Sequence, residues 1–161
     1  TRELALKEVA VKPLVDCTVA LLKKEFENAQ AQLTVDINDD FTLYFYPAYL
    51  ESIIYNLLSN ALRYRSPGRP LRISMETEVK ERFKLMRVKD NGQGIDLKNY
   101  GNDIFGMYKT FHHHPESKGL GLFLIKNQLN ALGGDIKVKS SPGKGSTFEL
   151  TFPKQGVYDG R

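Results

Sequence analysis

Two asparagines four residues apart, Asn56 and Asn60, stand in the stretch Glu51-Ser-Ile-Ile-Tyr-Asn-Leu-Leu-Ser-Asn-Ala-Leu-Arg63-Tyr64. On a helix that spacing sets their side chains roughly 40° apart around the axis, with Arg63 on the edge of the same polar strip. Asparagine is only a fair helix former, so the pair admits two readings. It is a solvated polar face, or it is a carboxamide pair that holds a hydrated metal ion and phosphates. Asp90-Asn-Gly-Gln-Gly94 is a second candidate. It reads either as a plain glycine-rich turn or as a place where ionised Asp90 accepts a hydrogen bond from an exocyclic amine. In the second case Gly92 and Gly94 let backbone approach the ligand. A hydrogen bond to a charged acceptor contributes ~1.5–3 kcal/mol, enough to select adenine over a base that carries a carbonyl there. Calcium fits this turn poorly, because glycines stand where its carboxylate ligands would be.

Gly119-Leu120-Gly121-Leu122 opens a third candidate segment. It serves close helix–sheet packing, or it presents bare backbone N–H groups at a helix N-terminus, where the dipole favours phosphate. The familiar nucleotide motifs fail. A dinucleotide fingerprint would need glycine at Leu124, and a P-loop around Gly143-Lys144 would need glycine at Val138 and a hydroxyl residue at Gly145. His112-His113-His114 raises zinc, but three consecutive residues cannot converge on one ion from a regular element. A polar loop tip is the favoured reading.

The elements that must position these residues follow from periodicity. Leu4 to Val11 has strand-like stretches, Pro13 opens a helix with a buried stripe through Phe26, and Leu33 to Ile37 alternates as a strand. Asn38-Asp39-Asp40 is a turn signal, so Phe41 to Phe45 is expected to return as its hairpin partner. Pro47 starts the asparagine helix, whose apolar residues Ile53, Ile54, Leu57, Leu58, Ala61 and Leu62 demand one broad buried face. Pro67-Gly68-Arg69-Pro70 ends it. Leu71 to Thr77 and Phe83 to Val88 are two more strands. Residues 96 to 118 show no strong period, and loops beyond ~12–15 residues often act as lids. Within them Phe105, Tyr108 and Phe111 recur every third residue, as on a short helical turn with an aromatic side. A third helix runs from Gly119 to Leu132 and stops at Gly133-Gly134, and a hairpin around Ser141 to Gly145 closes the chain. The expected architecture is a two-layer α/β sandwich, a mixed sheet with three main helices on one face.

Composition narrows the function classes. With 161 residues, 41% hydrophobic and 26% charged, the chain suits one globular domain. A net charge of +4 with Lys and Arg scattered among Asp and Glu argues against nucleic-acid binding. A single cysteine, Cys17, excludes an internal disulfide and reads as a small buried hydrophobe. No run reaches the ~18 apolar residues of a membrane span, and no signal peptide stands at the start. Without an initial Met, the chain reads as an excised domain.

Taken together, these segments resemble, in order and spacing, the ATP-binding catalytic domain of sensor histidine kinases, in the superfamily shared with gyrase B, mismatch-repair ATPases and heat-shock chaperones. Asn56-Leu-Leu-Ser-Asn60-Ala-Leu-Arg63-Tyr64 is similar to the family's N box, and Asp90-Asn-Gly-Gln-Gly94-Ile95 to its first glycine box. Phe105 with the following Met-Tyr108 resembles the F box, Lys118 to Leu122 the second glycine box, and Gly143-Lys-Gly-Ser-Thr147-Phe148 the closing glycine hairpin. The resemblance covers about residues 8 to 153. It implies the Bergerat ATP-binding fold with a long ATP lid. It further implies that residues 1–7 leave an upstream helical-hairpin domain and that 154–161 form a tail or linker.

Carried over residue by residue, the resemblance implies that Asn60 supplies a side-chain oxygen to Mg²⁺ with Asn56 beside it on metal or phosphate. It places Arg63 on the phosphates, Tyr64 near ribose or base, and Asp90 on the adenine amine. Gly92, Gly94 and Ile95 would shape the base pocket, Gly119, Leu120, Gly121 and Leu122 would close on the triphosphate, and Thr147 would lie near the adenine. Hydrolytic relatives carry a Glu one turn before the metal Asn as general base. Asn56 holds that place here, so the implied chemistry is transfer of the γ-phosphoryl group of ATP, with poor hydrolysis. The family's acceptor histidine lies in a separate dimerisation domain, absent from this chain. The implied partners are therefore that domain, in a homodimer, and a response-regulator receiver domain, with a cytoplasmic setting and no membrane-embedded part. The isolated fragment is expected not to phosphorylate itself. The lid aromatics would fold over nucleotide, dock the partner, or anchor the lid to its own core. Two other classes stay open: an ATP hydrolase or nucleotide-gated dimerising module of the same superfamily, and a binding module without turnover.

Overall fold

A computed structural model describes residues 5–101, 104–105 and 120–154. Its centre is a five-stranded mixed sheet with strand order β2-β4-β5-β7-β6. The strands are β2 (Gln32–Asp36), β4 (Arg72–Val79), β5 (Phe83–Asp90), β6 (Asp135–Ser141) and β7 (Gly145–Pro153). β2 pairs parallel to β4, and every other neighbouring pair is antiparallel. A separate two-stranded ribbon joins β1 (Lys7–Ala10) to β3 (Thr42–Phe45). Helices α1 (Val11–Leu21), α3 (Pro47–Arg63) and α5 (Leu120–Asn130) cover one face of the sheet, giving the expected two-layer sandwich. Two short helices, α2 (Lys23–Asn28) and α4 (Leu97–Tyr100), complete it.

The asparagine helix behaves as its spacing demands. Pro47 occupies its first turn, where the missing N–H costs nothing. Ile53, Ile54, Leu57, Leu58, Ala61 and Leu62 are all buried, joined by Leu50. Opposite them the inward residues of the strands, Ile73, Met75, Met86, Val88, Ile136, Phe148, Leu150 and Phe152, complete one continuous core. The outward face of the sheet is charged. There Arg87 pairs through Nε with Glu149 at 2.8 Å and through Nη1 with Glu78 at 3.2 Å.

Several expectations need correction. The strand at 33–37 does not form a hairpin with 41–45. β2 instead joins β4 in parallel, while β3 turns back onto β1, with Leu43 opposite Val9. Parallel pairing needs a long crossover, here α3, and no local pattern announces it. The first helix begins at Val11, so Pro13 lies inside its first turn, and the helix breaks at Leu22 before α2. The segment expected to lack periodicity opens with α4, which Asp96 caps by accepting from the Asn99 amide at 3.3 Å. Cys17 is exposed rather than buried. Gly119, Tyr108, Phe111 and His112 to His114 lie outside the described residues. Among the described residues no helix is long and apolar enough to cross a membrane.

The burial contrast sets a test. Leu58 is fully buried in α3 and Leu21 is 75% exposed at the end of α1. Leu58→Ala should cost about 2–5 kcal/mol of unfolding free energy by urea titration. Leu21→Ala should stay within about 0.5 kcal/mol.

Candidate functional site

Asp90 is the last residue of β5, where strand alternation turns it toward the helix layer. Its neighbours across the sheet are Ile73 on β4 and Ser146 on β7. The Gly92 amide donates to Asp90 Oδ1 at 2.8 Å, across a tight turn. Burial pushes the Asp90 carboxyl above the ordinary carboxylate range, against the opposing pull of the Gly92 and Ser146 amides. Its donors among the described residues are backbone amides, which leaves the half-buried carboxylate with acceptor capacity for a donor from outside the chain.

That donor would come from the side of α3. Asn60, Ala61 and Tyr64 form one wall of a small cavity, Asp90, Gly94 and Ile95 another, and Leu122, Ser146 and Phe148 the rest. Its volume is about 30 Å³, room for a water-sized molecule, so a planar heterocycle could enter only if the walls part. Asn56 lies one turn back along α3. Its Nδ2 donates to the Ser52 carbonyl at 2.8 Å, which turns Oδ1 toward α5. There a methyl group at Gly121 would sit 3.0 Å from Asn56 Oδ1 and 3.5 Å from Asn60 Nδ2. Thus the carboxamide strip and the start of α5 meet at a glycine, which carries no Cβ to crowd the two asparagines.

The turn after Asp90 is held on several sides. Gln93 donates its amide to the Tyr64 carbonyl at 2.9 Å, and Gly143 donates to the Gln93 carbonyl at 2.7 Å. The Ile95 amide donates to Ser140 Oγ at 2.7 Å, and that hydroxyl donates to the Gly145 carbonyl at 2.8 Å. Arg69, from the link between α3 and β4, donates to the carbonyls of Asn91, Gly92 and Gly143. Sequence reasoning missed Arg69, and nothing in its local pattern signals it.

The structure therefore brings Asn60, Tyr64, Asp90, Gly94, Ile95 and Leu122 around one cavity, with Asn56, Gly92 and Gly121 directly against it. Two expected residues are elsewhere. Thr147 is a correction: on β7 the residues facing the helices are Ser146 and Phe148, so Thr147 points to the opposite side of the sheet and Ser146 takes its place. The same alternation, read back from Phe148, Leu150 and Phe152, would have identified it. Arg63 is exposed and lines a larger hollow of about 650 Å³ with Arg65, Arg69 and Gln93, beyond the end of α3. That hollow lacks Asn60 and Asp90, and the small cavity, where carboxylate, carboxamide and apolar walls converge, is the functional candidate. Gly119 lies outside the described residues. Leu120 begins α5, and its side chain is likewise outside them.

Among the aromatic residues of the long connection, Phe105 packs half-buried against the core. The Lys126 ammonium lies 5.5 Å from its ring centroid and pairs with Asp135 at 2.5 Å. That hydrogen bond from Lys126 holds the Asp135 carboxyl below the usual carboxylate range. Phe105 is thus an anchor to the chain's own core.

Comparison with known proteins fits this geometry. Residues 46–156 match the model of the histidine kinase-, DNA gyrase B- and HSP90-like ATPase family, and the chain belongs to that family. Within it the chain is an ATP-binding domain of the histidine-kinase type. It is 30% identical over 149 residues to the adaptive-response sensory kinase SasA of Synechococcus elongatus, covering 91% of this chain and 38% of that protein. It is 31% identical over 157 residues to the sensor histidine kinase GraS of Staphylococcus haemolyticus, covering 96% of this chain and 44% of that protein. The chain thus spans less than half the length of these relatives. In fold it is similar to the histidine kinase AdeS of Acinetobacter baumannii, with a TM-score of 0.78 at 20% identity over 96% of this chain and 70% of that one. The nucleotide-free catalytic domain of the histidine kinase ThkA gives 0.79 at 19% identity, over 93% and 96% of the two chains. The expected Bergerat sandwich is therefore the observed fold.

The raised carboxyl has a measurable sign. A folded-state value above the unfolded one contributes stability that is complete below the unfolded value and is lost as pH rises through the folded value. Wild type should therefore gain stability relative to Asp90→Asn as pH falls from neutrality through the Asp90 titration. Urea midpoints of the two proteins across that range check it, and a constant gap would contradict the burial argument.

Proposed function

We propose that this domain binds Mg-ATP and donates the γ-phosphoryl group to a histidine on a separate helical dimerisation domain, as the catalytic part of a two-component sensor kinase in the cytoplasm. The observation that carries the reading is the convergence of Asn60 and Asp90 on one cavity, with Gly121 set against both asparagines. In this reading Asp90, ionised, accepts the adenine amine, while Gly94, Ile95, Ser146 and Phe148 frame the base. Its selectivity rests on charge: guanine presents a carbonyl at that position, which would repel the carboxylate. Because the cavity is small, base entry requires its walls to part.

The metal end fits the same donor set. Among the described residues no cluster of three or more His, Cys, Asp or Glu could hold an ion. Neutral carboxamide oxygens and phosphates are what remain, which suits Mg²⁺, a cation that takes few protein ligands. Asn60 and Asn56 would hold it, and when bound it neutralises phosphate charge. Leu120, Gly121 and the preceding Gly119 would present backbone amides to the phosphates, since a Cβ at 121 would crowd both asparagines. Arg63, exposed at the end of α3, would reach the phosphates only by swinging from the hollow it now lines. These residues position and neutralise, and positioning is the larger part of phosphoryl-transfer catalysis.

Hydrolysis lacks a base in this reading. Asn56 cannot take a proton, and Glu51 is exposed on the far side of the same helix. The acceptor histidine and the receiver domain that would take the phosphoryl group next belong to parts outside this chain, so the isolated domain would bind nucleotide without labelling itself.

Calorimetric titration with the two ends of the ligand separated tests the assignment. Asn60→Ala should weaken Mg-ATP binding by roughly tenfold or more, the loss of a charge-assisted contact, and change adenosine binding much less. Asp90→Asn should weaken both. Wild-type protein that binds neither ligand would overturn the proposal. Mixed with the helical dimerisation domain of a sensor kinase, the wild type should transfer labelled phosphate to its histidine, and Asn60→Ala should not.

A further inference from the structure

Arg69 lies outside the cavity and reaches the turn beside it only through backbone carbonyls, to which its guanidinium makes three hydrogen bonds. Nε donates to the Asn91 carbonyl at 2.8 Å, and Nη2 donates to the carbonyls of Gly92 at 3.1 Å and Gly143 at 3.0 Å. Among the described residues it has no carboxylate partner, so its charge is directed at backbone oxygens alone. The first of these is the telling one. Asn91 O and Gly92 N belong to the same peptide unit, and the N–H of that unit donates to Asp90 Oδ1 at 2.8 Å. A planar peptide has no freedom to turn one end without the other.

We infer that Arg69 is a positioning residue for base recognition: it fixes the plane of the Asn91–Gly92 peptide and so, through Oδ1, holds the Asp90 carboxylate in the pose that meets the adenine amine. The inference rests on the nucleotide reading proposed above and deepens it by naming what sets its selectivity. A cation on the carbonyl also polarises the peptide, which strengthens its N–H as a donor. The side chain of Asn91 braces the same unit from the other side: Oδ1 accepts from the Arg72 amide at 2.8 Å, and Nδ2 donates to the Pro70 carbonyl at 3.1 Å. Through Gly143, Arg69 also ties this turn to the hairpin between β6 and β7. It therefore sets three segments in one register: the link leaving the asparagine helix, the turn carrying Asp90, and the tip beside Ser146. Only a forked, planar donor can reach three carbonyls at once, so lysine is a poor substitute.

Arg69→Met and Arg69→Lys in the same chain test this with three readings. In Arg69→Met, ATP affinity should fall by roughly tenfold, and the preference for ATP over GTP should shrink. Affinity for Mg-tripolyphosphate should hold, and Arg69→Lys should recover part of the loss. A purely structural role would lower the melting temperature without moving the ATP-to-GTP ratio at a temperature where both proteins are folded, and that result would overturn the inference. Equal losses for ATP and tripolyphosphate would overturn it too. Amide hydrogen exchange at Gly92 needs no nucleotide: it should quicken in Arg69→Met, and unchanged exchange would overturn the clamp by itself. Wild-type protein that fails to bind ATP would sink the function proposed above, while the exchange experiment would still decide whether Arg69 holds the peptide.

Discussion

The site depends on a contact between two stretches of backbone with no side chain between them. Gly145, at φ +87°, lies so close to Asp90 that a Cβ there would collide with the Asp90 carbonyl oxygen. Gly94, at φ +77°, is pressed in the same way against the carbonyl of Ser141. Both backbones adopt a left-handed conformation that L side chains resist. Together they let the turn after β5 and the tip of the β6–β7 hairpin nest into each other. Ser146 is thereby drawn opposite Asp90, and Ile95 is brought within reach of Ser140. A larger residue at either position would force the two loops apart and take the carboxylate out of register with the asparagines. The conformations of these loops are local matters, and the placing of a charged group is their consequence.

The other half of the site is a helix that serves core and cavity at once. Seven side chains of α3 are buried, and the large aliphatic ones contribute about 1.5–3 kcal/mol each when removed from water. Two asparagines in a helix cost at most about 0.7 kcal/mol each in intrinsic propensity. The apolar face therefore decides the helix, and the polar strip is free to be chosen for chemistry. Because Asn60 and Ala61 are adjacent, the same turn that buries Ala61 fixes where Asn60 points. Small movements of α3 on the sheet would shift both, which binds the precision of the site to the packing of the core. Phe105 is held by the same logic, packed against the core with the Lys126 ammonium 5.5 Å from its ring centroid.

Legibility in the sequence follows the range of the interactions. The asparagine helix, β4, β5 and the final hairpin announce themselves through local period, and Asp90 stands where a strand meets a glycine turn. The pairing of β2 with β4 is not legible, because parallel neighbours are joined through a helix and leave no mark on either strand's own pattern. Thr147 is misassigned although its strand's alternation carries the answer; resemblance to a motif outweighs a parity that can be counted. Arg69 is invisible for a different reason. Its partners are carbonyls, which every residue possesses, so no complementary side chain in the sequence points back to it. Arg63 sits at the expected angle on α3 yet turns its exposed head elsewhere, because a long side chain at a helix end is not fixed by helical position.

Whether such a site splits ATP with water or passes its phosphoryl group on turns on one side chain. A general base contributes typically about 10²–10⁴-fold to proton removal from an attacking water. In the proposed pose Asn56 occupies the position from which such a base would act; its Nδ2 is committed to the Ser52 carbonyl, so its oxygen is the atom turned toward Gly121. That oxygen can accept a hydrogen bond or approach a cation, but it cannot carry a proton away. The carboxylate that does line the cavity, Asp90, is turned to its far end and is engaged by the Gly92 amide. A bound nucleotide in the proposed pose would thus be gripped at both ends and, among the described residues, meet no group placed to activate water. Its γ-phosphoryl would be stable until an acceptor supplies its own nucleophile, and a neutral histidine offers one in the lone pair of its unprotonated ring nitrogen, the proton on the other nitrogen being lost after transfer. In the proposed pose, an asparagine in place of a base would disarm hydrolysis and leave the transfer route open.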